Sequence, residues 1–262
     1  MQELQLPLLV VAPHPDDASL ACAGLMQVAR GGVYVVHVTA GDGFWRDAAE
    51  IDETLTPTPQ QYLALGAMRM QEAHEAAAVL GVPRDRQYAL GFPDCAMMRV
   101  VTTGTVPVRS HTTGRAAVPY RDAVSYGAPY TGASLRAVLQ EVIAAVQPAM
   151  VAYPAEYDAN SDHRAVGLAV QGALGATWQG THLTYLVHHD LYPGVGLDWD
   201  RTLRIPDDLP PADTEVRLSR VQEHAKEAAI AVHQSQERVL GPWLQAFVAT
   251  NEPFWSAGGA AA

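Results

Sequence analysis

The stretch LPLLVVAPHPDDASLACAGLMQVARGG, residues 6–32, indicates the fold more strongly than any other part of the chain. An apolar run is followed at once by a histidine, a proline and two aspartates, and then by small residues that lead to a Gly-Gly pair. A continuous apolar run is typical of a strand buried in a parallel sheet, and glycine commonly follows the end of a helix. The stretch therefore predicts a strand, a polar loop and a helix.

The same alternation continues along the chain without a linker. Strands that alternate with helices of about ten or more residues are typical of βαβ units, with the helices packed on both faces of a parallel sheet. We therefore predict an α/β protein with a mostly parallel sheet and a single domain over residues 1–262. Further strands are predicted over 33–40, 87–92, 148–155 and 183–189, and further helices over 60–82, 132–146 and 162–176, with one or two more between 215 and 251.

Three segments do not fit this alternation. Residues 42–59 are polar and contain several prolines, and residues 94–131 are rich in Gly, Thr, Tyr, Pro and Arg. Because a loop that long in a compact domain is usually a lid, a binding loop or disordered, we predict that 94–131 is an inserted lid that is mobile without substrate. We expect residues 256–262, SAGGAAA, to form a flexible tail.

Composition excludes several classes of protein. The formal net charge of −11 argues against nucleic acid as a partner. No apolar run reaches the roughly 18 residues of a membrane span, and the N-terminus lacks the basic region of a secretory signal. With only Cys22 and Cys95, neither a disulfide framework nor a thiolate zinc site is expected. We expect a soluble, cytoplasmic protein.

The polar residues after the first strand suggest a metal site. Ligands of parallel α/β proteins bind beyond the carboxyl ends of the strands, where the loop at 13–18 is predicted to lie. His14 and Asp17 are three positions apart and can face the same side of a helix start. Imidazole and carboxylate suit zinc, which needs one more protein ligand and an open position for catalysis. The alternative is that Asp16 or Asp17 only caps the helix.

A second acidic–histidine pair follows the predicted fourth strand. Asp162 and His163 occupy the same position in their βα unit as the first group, so the two loops are expected to lie close together. The alternative is that Ser161 or Asp162 caps the helix and His163 is exposed in its first turn. The recurrence of the pair at an equivalent strand end favours a shared site.

These residues resemble the signature of the LmbE-like, or PIG-L, family of zinc-dependent N-deacetylases, which has His-Pro-Asp-Asp after the first strand and Asp-His after a later one. The similarity covers most of the chain and includes four further motifs in the same order: TAGDG at 39–43, RMQEAHEAAAVLGV at 69–82, LGFPD at 90–94 and KEAAIAVHQSQ at 226–236. The resemblance implies a Rossmann-like three-layer fold and hydrolysis of an N-acetyl group, commonly on a glucosamine unit.

The resemblance also implies a role for individual residues. One zinc ion per chain would be held by three ligands, Asp16 would be the catalytic base, and a further group of residues would contact the substrate or orient the site. The implied ligands are His14, Asp17 and His163, and the implied contact and orienting residues are Arg69, Asp94, Asn160 and Asp162.

Two positions depart from the family pattern. Ala18 stands where relatives usually have Glu, and Asn160 stands three residues before the ligand histidine, where relatives often place a histidine or another polar group that holds the oxyanion. An amide can donate a hydrogen bond but cannot act as a cationic acid. The residue that stabilises the oxyanion therefore stays open.

Several functions are compatible with this pattern. The leading hypothesis is an amino-sugar N-deacetylase, and the alternatives are a catalytically silent sugar-binding protein or a hydrolase of a thiol conjugate amide. Within the family, substrates include inositol-linked sugars, thiol-cofactor precursors and glycopeptide antibiotics. We favour a glycopeptide pseudoaglycone with a bulky apolar acceptor, because apolar and aromatic side chains of the predicted lid suit such a ligand: Met97, Met98, Tyr120, Tyr126 and Tyr130.

Other candidate residues carry weaker indications. His188 and His189 end the predicted fifth strand, where one of them could line the pocket and the other would face away. His233 could face the core or the solvent. The GDG sequence at 41–43 is most simply a turn, and the resemblance gives it a secondary role near the site.

Overall fold

The computed structural model describes residues 6–29, 31–190, 192–193 and 201–256. The described residues form seven strands and nine helices. The strands are β1 (Leu8–Ala12), β2 (Val33–Thr39), β3 (Gln87–Phe92), β4 (Met150–Pro154), β5 (Thr181–Tyr185), β6 (Thr214–Arg217) and β7 (Asn251–Ser256). The helices are α1 (Asp17–Ala21), α2 (Ala23–Val28), α3 (Trp45–Ile51), α4 (Pro59–Val79), α5 (Met97–Thr103), α6 (Gly132–Val146), α7 (Ser161–Leu174), α8 (Arg220–Ala231) and α9 (Gln234–Gln245).

The strands form one mostly parallel sheet in the order β3-β2-β1-β4-β5-β7-β6. The neighbouring strands from β3 to β5 pair in parallel, as the alternation of strands and helices predicts. β7 runs antiparallel to β5 and pairs antiparallel with β6 at the edge. The sequence analysis missed these last two strands, because the edge strand is short and Pro253 in β7 weakens the strand pattern.

Both faces of the sheet are covered, which confirms the predicted α/β class. Alternate residues of β1 enter different apolar cores: Leu8 and Val10 pack in one and Leu9 and Val11 in the other. This alternation follows from the pleat of the strand, which directs successive side chains to opposite faces. A strand buried on both faces needs a continuous apolar run, and LLVVA supplies it.

The order of the strands places the site. From β1 the chain proceeds outward through β2 and β3, and then returns to add β4 on the other side of β1. The helices that follow β1 and β4 therefore pack on opposite faces of the sheet, and the loops that lead to them border one crevice at the point where the strand order reverses. Crevices at such switch points are the usual ligand sites of open α/β sheets.

The long segment at 94–131 is not confirmed as a lid. It begins with α5, and Met97, Tyr120 and Tyr130 are buried in the core. The expected apolar and aromatic rim is therefore wrong for these three residues, because they pack in the core. The hydroxyl of Tyr120 also donates to Asp42 Oδ2 at 2.7 Å. Tyr126 is exposed and stacks against Arg121.

Two smaller expectations also change. The polar segment at 42–59 contains the helix α3, and the helix predicted after β1 divides at Cys22 into α1 and α2. The first residue of the predicted tail, Ser256, ends β7, and residues 257–262 lie outside the described part of the chain. In the described ranges, we find no helix with the length and apolar character that a membrane crossing requires.

Candidate active site

The two loops predicted to meet do so at the switch point. Three side-chain atoms form a small triangle. His14 Nδ1 lies 3.1 Å from His163 Nε2 and 3.3 Å from Asp17 Oδ2, and His163 Nε2 lies 3.1 Å from Asp17 Oδ2. Asp17 is the first residue of α1 and His163 lies in the first turn of α7. The triangle thus joins the ends of β1 and β4.

The triangle has the dimensions of a zinc site. With bonds of about 2.0–2.1 Å in tetrahedral geometry, the ligand atoms of zinc lie about 3.3 Å apart. Two imidazole nitrogens and one carboxylate oxygen at these separations leave one position of a tetrahedron open, as catalytic zinc sites do. The residues therefore fit a catalytic zinc ion in both number and chemistry.

Neither loop residue serves only as a helix cap. Asp16 precedes α1 but makes no side-chain capping bond, and Asp17 Oδ2 accepts from the backbone N–H of His14 at 2.7 Å. The alternative for α7 is wrong as well, because Asn160 is its cap and His163 is completely buried. The capping explanation accounts for none of the three atoms of the triangle.

Carboxylates surround the outward nitrogens of both histidines. His14 Nε2 lies 3.1 Å from Asp94 Oδ1 and 3.8 Å from Asp162 Oδ2, and His163 Nδ1 lies 3.0 Å from Asp158 Oδ2. A carboxylate on the far nitrogen of a ligand histidine fixes its tautomer and its ring orientation. Asp158 was missed in the sequence analysis, where a single aspartate in a polar loop gives no pattern.

These carboxylates change the protonation of the histidines. Burial alone would lower the pKa of His163, but Asp17 and Asp158 outweigh it and raise this pKa to about 9. Burial likewise opposes protonation of His14, while Asp94, Asp162 and Asp17 together raise its pKa well above the usual value. These carboxylates therefore favour the protonated form of the histidines, with which a metal ion at this position would compete.

Arg69 lies beside the predicted base. Its guanidinium is buried, donates from Nη1 to the carbonyl of Gly41 at 2.9 Å and lies with Nη2 3.4 Å from Asp16 Oδ1. Gly41 has φ +67°, and a Cβ there would lie only 2.4–2.7 Å from the guanidinium. The TAGDG sequence is thus more than a turn, because its first glycine makes room for Arg69.

The rest of the TAGDG sequence positions Asp94. Asp42 Oδ1 accepts from the backbone N–H of Asp94 at 3.1 Å, and the N–H of Gly43 donates to Asp94 Oδ2 at 3.1 Å. Asp162 accepts from the backbone N–H groups of Cys95 and Met97 at 2.6 and 3.0 Å. The loops after β2, β3 and β4 are therefore tied together around His14.

One pocket contains the predicted residues except Asp162 and His163, which lie beneath it. Its wall includes residues that the sequence did not identify, several of them apolar and contributed by α9. The lining residues are His14, Asp16, Asp17, Phe44, Arg69, Asp94, Cys95, Asn160, His188, Gln236, Leu240 and Trp243. An amphipathic helix far along the chain gives no local sign that its polar edge will face a site.

His233, which the sequence left open, is buried behind this wall. Its Nε2 lies 3.1 Å from the hydroxyl of Ser19, and the neighbouring Ser235 donates to Glu72 from both its N–H and its hydroxyl, at 2.9 and 2.6 Å. The start of α9 is therefore fixed to α1 and α4. Through these bonds the helix presents Gln236 and Leu240 to the pocket.

Comparison with known structures supports this fold. The A40926 pseudoaglycone deacetylase has a TM-score of 0.62 and 17% identity, with 97% of each chain covered. The N,N'-diacetylchitobiose deacetylase of Pyrococcus horikoshii has a TM-score of 0.57 and 21% identity, covering 95% of this chain and 82% of its own. A 4-carboxy-2-hydroxymuconate hydratase from Pseudomonas putida has a TM-score of 0.59 and 15% identity over 97% of both chains.

At these identities the structural similarity establishes the fold alone. A comparison with curated proteins gives no match. The sequence itself matches the family described as PIG-L: GlcNAc-PI de-N-acetylase over residues 9–174, a range that contains every residue of the triangle. The chain therefore belongs to the PIG-L family of metal-dependent deacetylases of N-acetyl sugars.

Proposed function

We propose that this protein is a zinc-dependent hydrolase that removes the acetyl group from an N-acetylglucosamine unit. The observation that carries the proposal is the triangle of His14, Asp17 and His163, with Asp16 in the pocket that His14 and Asp17 line. A carboxylate beside an open metal position is the arrangement that amide hydrolysis by activated water requires. A silent sugar-binding protein would have no use for a base beside an open metal position.

Asp16 carries the proton transfers of the proposed reaction. When bound, zinc would lower the pKa of a coordinated water and polarise the amide carbonyl. Asp16 accepts a proton from the attacking water as the new C–O bond forms and the carbonyl π electrons move to oxygen. Asp16 then gives that proton to the amide nitrogen as the C–N bond breaks, which yields acetate and the free amine.

The remaining polar residues hold this arrangement in place. The guanidinium of Arg69 lies 3.4 Å from Asp16 and keeps the base oriented without being a ligand. Asp94 and Asp162 orient His14, and Asp158 orients His163. Asn160 caps α7 through its Oδ1 and can present its amide N–H group to the substrate. Because Arg69, Asp94 and Asn160 also line the pocket, we expect them to contact the substrate.

We also propose that the sugar is attached to a bulky acceptor with an apolar part, such as a glycopeptide pseudoaglycone. Phe44, Leu240 and Trp243 form an apolar wall beside the polar triangle. A groove between α3 and α9 presents Trp45, which is 47% exposed, and Val239 among charged side chains. The acceptor would thus rest on α3 and α9, and the segment at 94–131 would support the fold.

A panel of substrates tests the proposal. Acetate release should be measured from free N-acetylglucosamine, an N-acetylglucosaminyl pseudoaglycone, an inositol-linked N-acetylglucosamine and a thiol-cofactor precursor, together with the zinc content of the protein. We expect hydrolysis of N-acetylglucosaminyl compounds, fastest on the pseudoaglycone. Release of an amine from a thiol conjugate alone, or hydration activity like that of the muconate hydratase, would contradict it.

The role of Asp16 has a separate test. Asp16→Asn is nearly isosteric and should keep its zinc while kcat falls by about 10² or more. Asp85→Asn, on an exposed turn, is the matched control and should change nothing. If Asp16→Asn loses zinc together with activity, Asp16 is a ligand and the assignment of the two adjacent aspartates is reversed.

A further inference from the structure

The reaction needs a hydrogen-bond donor for the carbonyl oxygen, and the expected residue for that task is altered in this chain. Attack on the amide puts negative charge on that oxygen, and donors placed around it stabilise the transition state. The position that often serves relatives is Asn160, whose Oδ1 is already bound to the N–H of Asp162 at 2.8 Å. Asn160 can offer only a neutral amide N–H to that oxygen, so a donor from another element would add to the stabilisation of the oxyanion.

His188 is in the right place. It lies in the loop after β5, lines the pocket, and has a ring nitrogen within 4.8 Å of the donor atoms of His14, Asp17 and His163. Its ring centroid is 4.7 Å from that of His163, at an interplanar angle of 76°. A substrate oxygen at the open position of the triangle would lie within reach of its ring edge.

The imidazole of His188 is held by packing and leaves its nitrogens available. It stacks on Trp243 at 5.3 Å with an interplanar angle of 13°, and Trp243 meets the buried ring of Phe247 edge-on at 5.0 Å. Within the described part of the chain, neither ring nitrogen of His188 makes a hydrogen bond. Because stacking fixes the plane of the ring, a ring N–H is already oriented toward the pocket, and no free energy is needed to orient it when the oxyanion forms.

The backbone of His188 is fixed by the residue that also orients the metal ligand. Asp158 Oδ2 accepts from the N–H groups of Val187 and His188, at 3.0 and 3.1 Å, and lies 3.0 Å from Nδ1 of His163. A shift of the loop after β5 would therefore move His188 and His163 together. One carboxylate sets the distance between the metal position and the ring of His188.

The geometry points to His188 as the catalytic residue that stabilises the oxyanion, by donating a ring N–H to the substrate carbonyl oxygen as it becomes negatively charged. This inference rests on the proposed deacetylase function. A role as a fourth zinc ligand is disfavoured, because four protein ligands would close the tetrahedron and leave no position for water or substrate. No proton has to be transferred by His188 in this role, since Asp16 both accepts and returns it.

Kinetics of His188 variants test the inference. His188→Ala should lower kcat by about 10²–10³ with a much smaller change in KM and with zinc content unchanged. His188→Gln keeps an N–H donor on a side chain of similar length and should recover part of that loss. His189→Ala, the adjacent histidine that pairs with Asp208 at 3.3 Å, is the matched control and should retain kcat.

A second substrate separates oxyanion stabilisation from a structural role. The trifluoromethyl group of an N-trifluoroacetyl sugar stabilises the oxyanion by itself, so the donor contributes less and His188→Ala should lose less on it than on the N-acetyl sugar. An equal loss on both substrates, or an unchanged kcat in His188→Ala, overturns the inference. Loss of zinc in His188→Ala also overturns it and identifies a ligand.

The same assay separates this inference from the proposed function. A wild-type protein that releases no acetate from any N-acetyl sugar refutes the deacetylase proposal and the role of His188 with it. A wild-type protein that is active, with His188→Ala equally active, refutes the role of His188 alone. Circular dichroism of each variant shows whether the fold is retained, and His188→Gln provides the kinetic answer if the alanine variant does not fold.

Discussion

Two groups of charged side chains are buried in this protein, and they differ in how their charges are balanced. Lys226 and Glu252 form a closed pair, with Nζ and Oε1 2.9 Å apart and both side chains fully buried. The carboxylate of Glu252 also accepts from the N–H groups of Gly24 and Leu25 at the start of α2, at 2.8 and 3.0 Å. This pair is neutral and satisfied.

The active site is the opposite case. Four buried aspartates lie within 4 Å of a ring nitrogen of His14 or His163: Asp17, Asp94, Asp158 and Asp162. A fifth, Asp16, pairs with Arg69, the one arginine or lysine that an ion pair joins to this cluster among the described residues. Buried charges are costly unless they are paired or bind a metal. An excess of negative charge at an open pocket therefore indicates a cation that comes from outside, whereas a balanced pair indicates a structural role.

The largest effect is expected from removal of a metal ligand. The wild type should carry about one zinc ion per chain, and His163→Ala should lose most of it because two ligands hold zinc far less well than three. His224→Ala, at an exposed position on α8, is the control. Elemental analysis of the purified proteins measures the zinc content. Full zinc content in His163→Ala would show that the excess of negative charge at this cluster does not mark a zinc site.

Substitution in the Lys226–Glu252 pair should lower the stability of the protein and leave its zinc content unchanged. Lys226→Met leaves Glu252 buried without its counter-ion and should lower the free energy of unfolding by about 3–5 kcal/mol. Chemical denaturation measures the loss. The double variant Lys226→Met, Glu252→Gln should lose less than the single variant, because no uncompensated charge remains. A loss of zinc in Lys226→Met would show that the two groups are coupled.

Protons should compete with zinc for the histidines of the active site. With its pKa raised to about 9, His163 is protonated in the metal-free protein at neutral pH, and zinc must displace that proton. The affinity for zinc should therefore rise with pH up to about 9, by about tenfold per unit for each proton released. A competing chelator at pH 6, 7 and 8 measures it, and a flat profile would mean that the histidines are neutral before zinc binds.

The smallest effect concerns the apolar wall beside the charges. Leu240→Ser should raise KM for an N-acetylglucosaminyl pseudoaglycone about fivefold, equivalent to roughly 1 kcal/mol of lost apolar contact. It should hardly alter hydrolysis of free N-acetylglucosamine, since Leu240 is not among the groups assigned to the reaction. Val221→Ser, exposed on α8, is the control. Equal losses on both substrates would place Leu240 in the support of the catalytic residues.

Some residues of the site were readable from the sequence and others were not. His14 and Asp17 lie between β1 and the first turn of α1, and His163 lies in the first turn of the helix after β4. The rule that ligands bind at the carboxyl ends of parallel strands was therefore sufficient to bring them together. Asp158 and His188 lie in irregular loops, and Trp243 lies on a helix whose neighbours are set by distant contacts. The predicted lid is not confirmed: Met97 and Tyr130 are residue types that suit a binding loop, but they are buried in the core.

The sequence by itself determined the alternation of strands and helices, the strand ends that carry acidic–histidine pairs, and the family. These are local properties, because each depends on side-chain period and on residues adjacent in the chain. Only the tertiary structure decided that Lys226 is buried against Glu252, that Asp158 connects His163 with the loop of His188, and that α9 forms the apolar wall. Three of those contacts join residues 26 to 55 positions apart. The physical reason is that packing, which no local pattern records, sets which distant side chains meet.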